Sequence, residues 1–373
     1  MNFSFHTPTK IIFGINSFNE VFKHVKYLGK KCLIVTGKSS MKKFGYIDTL
    51  KNQLEMNSFK TTVYDNISND AKSSEVNFGS ELCRKNNINF IIGLGGGSAI
   101  DAAKAISVSF DEKNIENFIG KELTGDKRSL PVVAIPTTSG TGSEVTKGAI
   151  ITDEINNFKS GVRGEQIFPK IALIDPLLSI TMPTEVAATT GFDAFTHLFE
   201  SYIAIKSNIL TDTLSLQGLK IIINSLPGSL KNPEDLKLRS LISYAALLGG
   251  INVGNASTCL PHRLQQAMGS VPNINQSHAM GLASIYPGWL EEVYDYRFEK
   301  IENLKKIINI TSKKFDFILN FIDQIKLTNK LSKYGVTKDN INIFIKNISG
   351  NVDNDPIQNK DEKLYERIYL QAL

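Results

Sequence analysis

Residues 89–105 read NFIIGLGGGSAIDAAKA, and this stretch decides the fold. An apolar run ends in three consecutive glycines, Gly95, Gly96 and Gly97, and passes directly into residues that favour helix. Glycines let the chain turn tightly and let its backbone approach a ligand closely. Ser98 followed by Asp101 has the spacing of a capping box, so a helix is expected to begin here. A helix start presents free N–H groups and a partial positive charge, which can hold a pyrophosphate without any lysine. A tight turn with a good cap would have the same local pattern.

Outward from this stretch the same unit recurs. KCLIVTG (31–37), KTTVYDN (60–66) and PVVAIPTT (131–138) read as further buried strands, with a helix such as SSEVNFGSELCRKNN (73–87) between them. Strands spaced by helices imply βαβ units, and uninterrupted apolar runs suit a parallel sheet covered on both faces. PTTSGTGSE (136–144) is a second glycine- and hydroxyl-rich loop that follows a strand. It suits phosphate or ribose hydroxyls, or it caps its own helix. In open parallel sheets ligands bind beyond the carboxyl ends of the strands, where both loops would lie.

The pattern changes near 176–184, where Asp175-Pro176 and Met182-Pro183 punctuate the chain. Helical periodicity then runs over 184–204, 211–225, 235–270 and 296–326, with shorter pieces after 338 and a loop at 346–360. The expected organisation is an α/β nucleotide-binding domain with a parallel sheet over 1–180 and an all-helical domain over 181–373.

Composition narrows the function. The 373 residues carry a net charge of +5 with lysines scattered, and no nucleic-acid-binding module is apparent. No apolar run nears the roughly 18 residues of a membrane span, and the start lacks a secretory layout. Cys32, Cys83 and Cys259 are far apart and odd in number, which suits reduced core residues in a cytoplasmic protein.

Within the helical half, Asp193 and His197 are four apart and share one face of a helix. Their neighbours Phe192, Phe195, Leu198 and Phe199 make that helix apolar almost all round. A carboxylate and an imidazole in such a place need a partner to offset desolvation, and a metal ion supplies one. Of the chain's five histidines, His262 and His278 also fall in this half. Alone, each reads more readily as a capping or packed histidine than as a ligand. His6 and His24 read as surface residues.

Together these segments resemble the iron-dependent (group III) alcohol dehydrogenase family. The resemblance is carried by TPTKIIFGINSF (7–18), GLGGGSAIDAAKA (93–105), IPTTSGTGSEVTKGAIITDE (135–154), KIALIDPLLSITMP (170–183) and VAATTGFDAFTHLFESYIA (186–204). It implies a nucleotide-binding α/β domain, a helical metal domain, an active site in the cleft between them, and a homodimer. It implies a divalent metal, Fe2+ first and Zn2+ second, held by Asp193, His197, His262 and His278. The cofactor positions it implies are Gly95, Gly96, Gly97, Ser98, Asp101, Thr137, Thr138 and Thr141, with Ser143 and Lys159. Relatives that prefer NAD often carry an acidic residue after the strand 32–36. Here Gly37 is followed by Lys38, Ser39 and Ser40, which favours NADP(H) over NAD(H).

The chain departs from the family pattern in three ways. Gln266 stands where members often carry a second histidine four residues after the third ligand, so a catalytic role there falls to an amide that cannot titrate near neutral pH. The His262–His278 spacing is longer than usual, with Ala279 where glycine is common. The helices after 290 match only loosely. The implied activity is a metal-dependent, NAD(P)-linked interconversion of an aldehyde or ketone and an alcohol, acting as an aldehyde reductase. Small aldehydes are the default substrate. Arg263, Gln265, Gln266 and Asn255 add polarity that would also suit a phosphorylated or sugar-derived one. The alternatives are a lyase similar to dehydroquinate synthase on the same scaffold, and a non-catalytic homologue.

Overall fold

The computed structural model describes all residues but 1, 113, 126, 157, 272, 273 and 275. The chain forms two compact units. One is Thr7–Met182, and the other is Pro183–Leu373 together with the chain's start up to His6. His6 N donates to Asn255 Oδ1 at 2.7 Å, which ties that start to the helical unit.

In the α/β unit the strands are β1 (Lys10–Phe13), β2 (Lys31–Gly37), β3 (Lys60–Ile67), β4 (Phe90–Gly95), β5 (Val132–Pro136), β6 (Gly148–Asp153), β7 (Phe158–Arg163) and β8 (Ile171–Ile174). Six of them form one sheet in the order β1-β8-β5-β4-β2-β3, every pairing parallel. Helices α1 (Val21–Val25), α2 (Ser40–Lys43), α3 (Tyr46–Met56), α4 (Ser73–Asn86) and α5 (Gly97–Ser109) connect them. Alternate residues of one strand enter different cores. Cys32 and Ile34 pack with Val21, Val25, Leu50 and Leu54 of α1 and α3, whereas Leu33 and Val35 pack with Val76, Cys83 and Ala102 of α4 and α5. Both faces are therefore covered, as the continuous apolar runs require.

Four strands of this unit were not foreseen. β1 and β8 have four residues each, too short to show a period, and pairing makes them strands. β6 and β7 form an antiparallel hairpin that packs Ala149, Ile151 and Val162 against the α4–α5 core.

The expected capping box does not form. α5 starts at Gly97 with Gly96 as its N-cap and no side-chain cap. Ser98 already lies in the first turn, and its hydroxyl donates to the Asn69 carbonyl. Asp101 instead accepts from the Ser143 hydroxyl and from Ile150 N at 2.9 Å.

The helical unit contains α6 (Thr184–Ile203), α7 (Ile209–Lys231), α8 (Leu236–Ala256), α9 (Leu260–Ala267), α10 (His278–Val293), α11 (Phe298–Ile308), α12 (Asp316–Gln324), α13 (Lys338–Lys346) and α14 (Glu362–Ala372). No strand occurs in it among the described residues. The single helix expected over 235–270 is two, broken at Ser257, whose φ of 62° lies outside the helical region. The stretch expected over 296–326 is also two helices, because Asn309 ends α11 in the left-handed conformation. α10 was not among the expected helices, and it contains Gly281, Pro287 and Gly288. It forms because its apolar side, from Leu282 to Val293, is buried in the core. The 346–360 loop has a single short 3-10 turn, yet Asn354 and Asp355 in it are fully buried.

Lys104 of α5 is completely buried. Its ammonium donates to the Ser143 carbonyl at 2.9 Å, the Ser143 hydroxyl at 2.9 Å and Thr146 Oγ1 at 3.1 Å, and it lies 3.7 Å from Asp101 Oδ1. Burial pulls its pKa down to about 8, against the pull of Asp101 and Glu144. The ammonium thus fastens the second hydroxyl-rich loop to α5. Lys104→Met keeps the volume but strands these buried acceptors. It is expected to lower unfolding stability by about 3 kcal/mol, read from guanidinium denaturation.

Candidate functional site

α6 carries the first part of the site. Phe192, Phe195 and Phe199 run along one side, their rings stacked at centroid distances of 5.8 Å, and Tyr286, Trp289 and Phe321 pack around them. Asp193, His197 and Glu200 fall on another side at helical spacing, and all three are buried. α8 comes close here because position 249 is glycine. A Cβ on Gly249 would lie 3.3 Å from the His197 Cβ.

His262 sits in the first turns of α9 and His278 is the first residue of α10. Their Nε2 atoms lie 3.9 Å and 3.6 Å from Asp193 Oδ1, and His197 Nε2 lies 3.6 Å from the same oxygen. The rings of His197 and His262 are 5.0 Å apart between centroids, and those of His262 and His278 are 5.2 Å apart. Asp193, His262 and His278 each offer a ligand atom within 4.8 Å of the others. The four side chains singled out in the sequence are therefore gathered around one carboxylate oxygen. The lengthened connection between His262 and His278 includes 272, 273 and 275, which lie outside the described residues.

The hydrogen bonding around this cluster is unusual. His262 Nδ1 lies 2.9 Å from both carboxylate oxygens of Glu200. A carboxylate only accepts, so Nδ1 carries the proton and Nε2 keeps its lone pair. Burial, reinforced by His197, holds the His262 imidazole well below its ordinary pKa, which keeps it neutral. For Asp193 burial pushes upward, but the imidazoles of His197, His278 and His262 outweigh it and hold the carboxyl below its usual range. Asp193 Oδ1 and His262 Nε2 are thus two acceptors facing each other, both buried and both without a hydrogen-bond partner among the described residues. A cation between them resolves that conflict. The observed donor set, one carboxylate oxygen and imidazole nitrogens, fits a divalent transition metal.

Residues the sequence reading passed over brace this cluster. Glu200 also accepts from Cys259 N at 2.8 Å and from the Tyr286 hydroxyl at 3.1 Å, while burial pushes its carboxyl up to about 7. Asn354 Nδ2 donates to the Ala256 and Thr258 carbonyls at 2.8 and 3.0 Å, which satisfies the break between α8 and α9. Asp355 accepts from Leu260 N and Trp289 Nε1, both at 2.9 Å. Gln265 Oε1 bonds to His278 Nδ1. Glu200 had a visible signal, seven residues after Asp193 on the same apolar helix. Asn354 and Asp355 had none, because only folding brings them to α9. Gln266 Oε1 accepts from Arg263 Nη1 at 3.2 Å, and Arg263 Nη2 donates to Thr258 Oγ1 at 2.9 Å.

In the α/β unit the two glycine loops meet at the carboxyl ends of β4 and β5. Thr137 N donates to the Gly95 carbonyl at 2.9 Å. Gly95 has a φ of 145°, a region glycine enters freely. A Cβ on Gly97 would come within 2.7 Å of Thr141, and one on Gly96 within 3.4 Å of Thr138. Gly95, Gly96, Gly97, Thr137, Thr138 and Thr141 are thus brought together, and Gly37 ends the neighbouring β2. Asp101 and Ser143 are engaged in the Lys104 clamp. Lys159 on β7 pairs with Asp70 at 2.6 Å, next to Asn69, which takes the Ser98 hydroxyl.

Two family models match the chain. Iron-containing alcohol dehydrogenase covers residues 8–176, and the C-terminal model of the Fe-containing alcohol dehydrogenase family covers 187–369. The NADPH-dependent butanol dehydrogenase of Clostridium saccharobutylicum is 30% identical over 98% of this chain and 97% of its own length. The 1,3-propanediol dehydrogenase of Citrobacter freundii is 30% identical over 83% of this chain and 78% of its own. A crystal structure of 1,3-propanediol oxidoreductase superimposes with a TM-score of 0.93 at 25% identity, with complete coverage of both chains. These matches do not favour the lyase or the non-catalytic alternative. The chain belongs to the iron-containing alcohol dehydrogenase family and is an NAD(P)-linked oxidoreductase that interconverts an alcohol and an aldehyde or ketone.

Proposed function

We propose that this chain is an aldehyde reductase that holds Fe2+ through Asp193, His197, His262 and His278 and draws its reducing equivalents from NADPH in preference to NADH. The observation that carries the metal reading is the pair of buried, unpartnered acceptors, Asp193 Oδ1 and His262 Nε2. When bound, the ion supplies Lewis-acid polarisation of the carbonyl oxygen, and the nicotinamide supplies the hydride. Asp193 contributes a single negative charge, and the three imidazoles contribute none in their neutral form. This ligand set leaves the centre cationic toward a substrate oxygen. Zn2+ would satisfy the same donors, so Fe2+ rests on the family.

Gln266 can orient a substrate through a hydrogen bond but delivers no proton, so protonation falls to water or to a hydroxyl group. The proposed nucleotide contacts are Gly37, the loop glycines Gly95–Gly97, Ser98, Asp101, Thr137, Thr138, Thr141, Ser143 and Lys159. Lys38, Ser39 and Ser40 follow β2, all exposed, with no carboxylate to repel a 2′-phosphate. The similar butanol dehydrogenase is named NADPH-dependent. Small aldehydes are the proposed substrates, and the family suggests a homodimer. We place the protein in the cytoplasm. All three cysteines are buried and free, and no helix among the described residues is long and apolar enough to cross a membrane.

Asp193→Ala or His197→Ala is expected to bring metal content close to zero by elemental analysis. Turnover should fall by roughly three orders of magnitude, matching the several kcal/mol that a Lewis acid supplies. Full turnover in a variant verified to lack metal would defeat the reading. For the cofactor, kcat/KM is expected to be about tenfold higher with NADPH than with NADH, equivalent to about 1.4 kcal/mol. Gly37→Asp should reverse that ratio. An added Cβ there meets only the Ile67 carbonyl at 3.6 Å, an ordinary contact, so the carboxylate can be accommodated. An unchanged ratio would show that the residues after β2 do not set the choice.

A further inference from the structure

We infer that Glu200 is a positioning residue for the metal centre, setting the tautomer and ring orientation of His262 so that its Nε2 lone pair points at Asp193. This inference rests on the proposed metal site and extends it to a residue outside the ligand set.

Glu200 is completely buried, and its two carboxylate oxygens are equidistant from His262 Nδ1 at 2.9 Å. It lies three residues beyond His197 and seven beyond Asp193 on α6. One helix therefore supplies the metal-facing carboxylate, an imidazole, and the carboxylate behind a second imidazole. Cys259 N and the Tyr286 hydroxyl complete its shell at 2.8 and 3.1 Å, so the carboxylate itself is immobilised from α10 and from the start of α9.

A purely structural strut between helices would need only an acceptor for Cys259 N and Tyr286. An amide could serve, without burying a charge. A carboxylate adds a stricter demand, because it cannot donate and therefore enforces the proton on His262 Nδ1. Metal-ligating histidines are commonly oriented through the far nitrogen in this way, which also makes the ligating nitrogen more basic. The three imidazoles differ here. His278 Nδ1 meets the neutral amide oxygen of Gln265, whereas His197 Nδ1 has no hydrogen-bond partner among the described residues. His262 Nδ1 meets a carboxylate, that of Glu200.

The test is Co2+ binding to metal-stripped full-length protein, by chelator competition and by the visible d–d spectrum. Wild type is compared with Glu200→Gln, Glu200→Asp and His262→Ala. Glu200→Gln keeps the shape and the acceptor but brings an NH2 group that can donate to Nδ1. It is expected to weaken Co2+ binding by 10- to 100-fold and to shift the d–d bands, with the metal-free circular dichroism unchanged. A Co2+ Kd within about twofold of wild type and an unchanged spectrum, while His262→Ala binds poorly, would overturn the inference and leave the metal site standing. Wild-type binding by His262→Ala would instead overturn the metal reading, and this inference with it. Should Glu200→Gln not fold, Glu200→Asp, whose carboxylate is drawn back by one methylene, decides by the same criterion.

Discussion

Asp193 Oδ1 faces His262 Nε2 across 3.9 Å in a buried part of the helical unit, and neither atom has a donor to accept from among the described residues. Two opposed lone pairs in a desolvated place are unfavourable, and a positive ion is the simplest remedy. Much of the surrounding structure keeps that opposition in place. The stacked phenylalanines of α6 pack against Tyr286, Trp289 and Phe321 and so anchor the helix that carries Asp193 and His197. Glu200 fixes the ring of His262, Asn354 satisfies the chain break that lets α9 start where it does, and Asp355 ties α9 to Trp289 of α10.

Under the proposed nucleotide reading the α/β unit would meet the opposite electrostatic problem, attracting an anion with no lysine on the loop itself. The glycines of 95–97 bring backbone N–H groups to the start of α5, and threonines from the neighbouring loop pack against them. Lys104, the buried cation beneath, faces inward and holds the second loop to the helix. Its charge is taken up by the protein's own acceptors, which under the proposed reading leaves the helix terminus and the backbone to act on a phosphate.

Gln266 lies on α9. Its amide oxygen is held by Arg263, and Arg263 by Thr258, so the position is part of a local polar chain on α9. A histidine there could exchange protons near neutral pH. An amide does not titrate in that range and can only donate or accept hydrogen bonds.

Local chemistry alone specified the alternating α/β unit, the two glycine loops and the Asp193–His197 pair, because each depends on residues within a turn or two of one another. The same logic extended one turn further would have reached Glu200. Other features depended on contacts between distant parts of the chain. β1 and β8 are too short to declare themselves and become strands by pairing. α10 overrides its glycines and proline because its apolar side has a core to enter. Ser98 and Asp101 have the spacing of a cap, but the helix begins two residues early and both side chains find other partners. The gathering of His262 and His278 around Asp193 joins three helices, and the bracing of α9 by Asn354 and Asp355 spans about ninety-five residues of sequence. No sequence period carries such information. It is decided when helices pack and each buried polar atom must find, or lack, a partner.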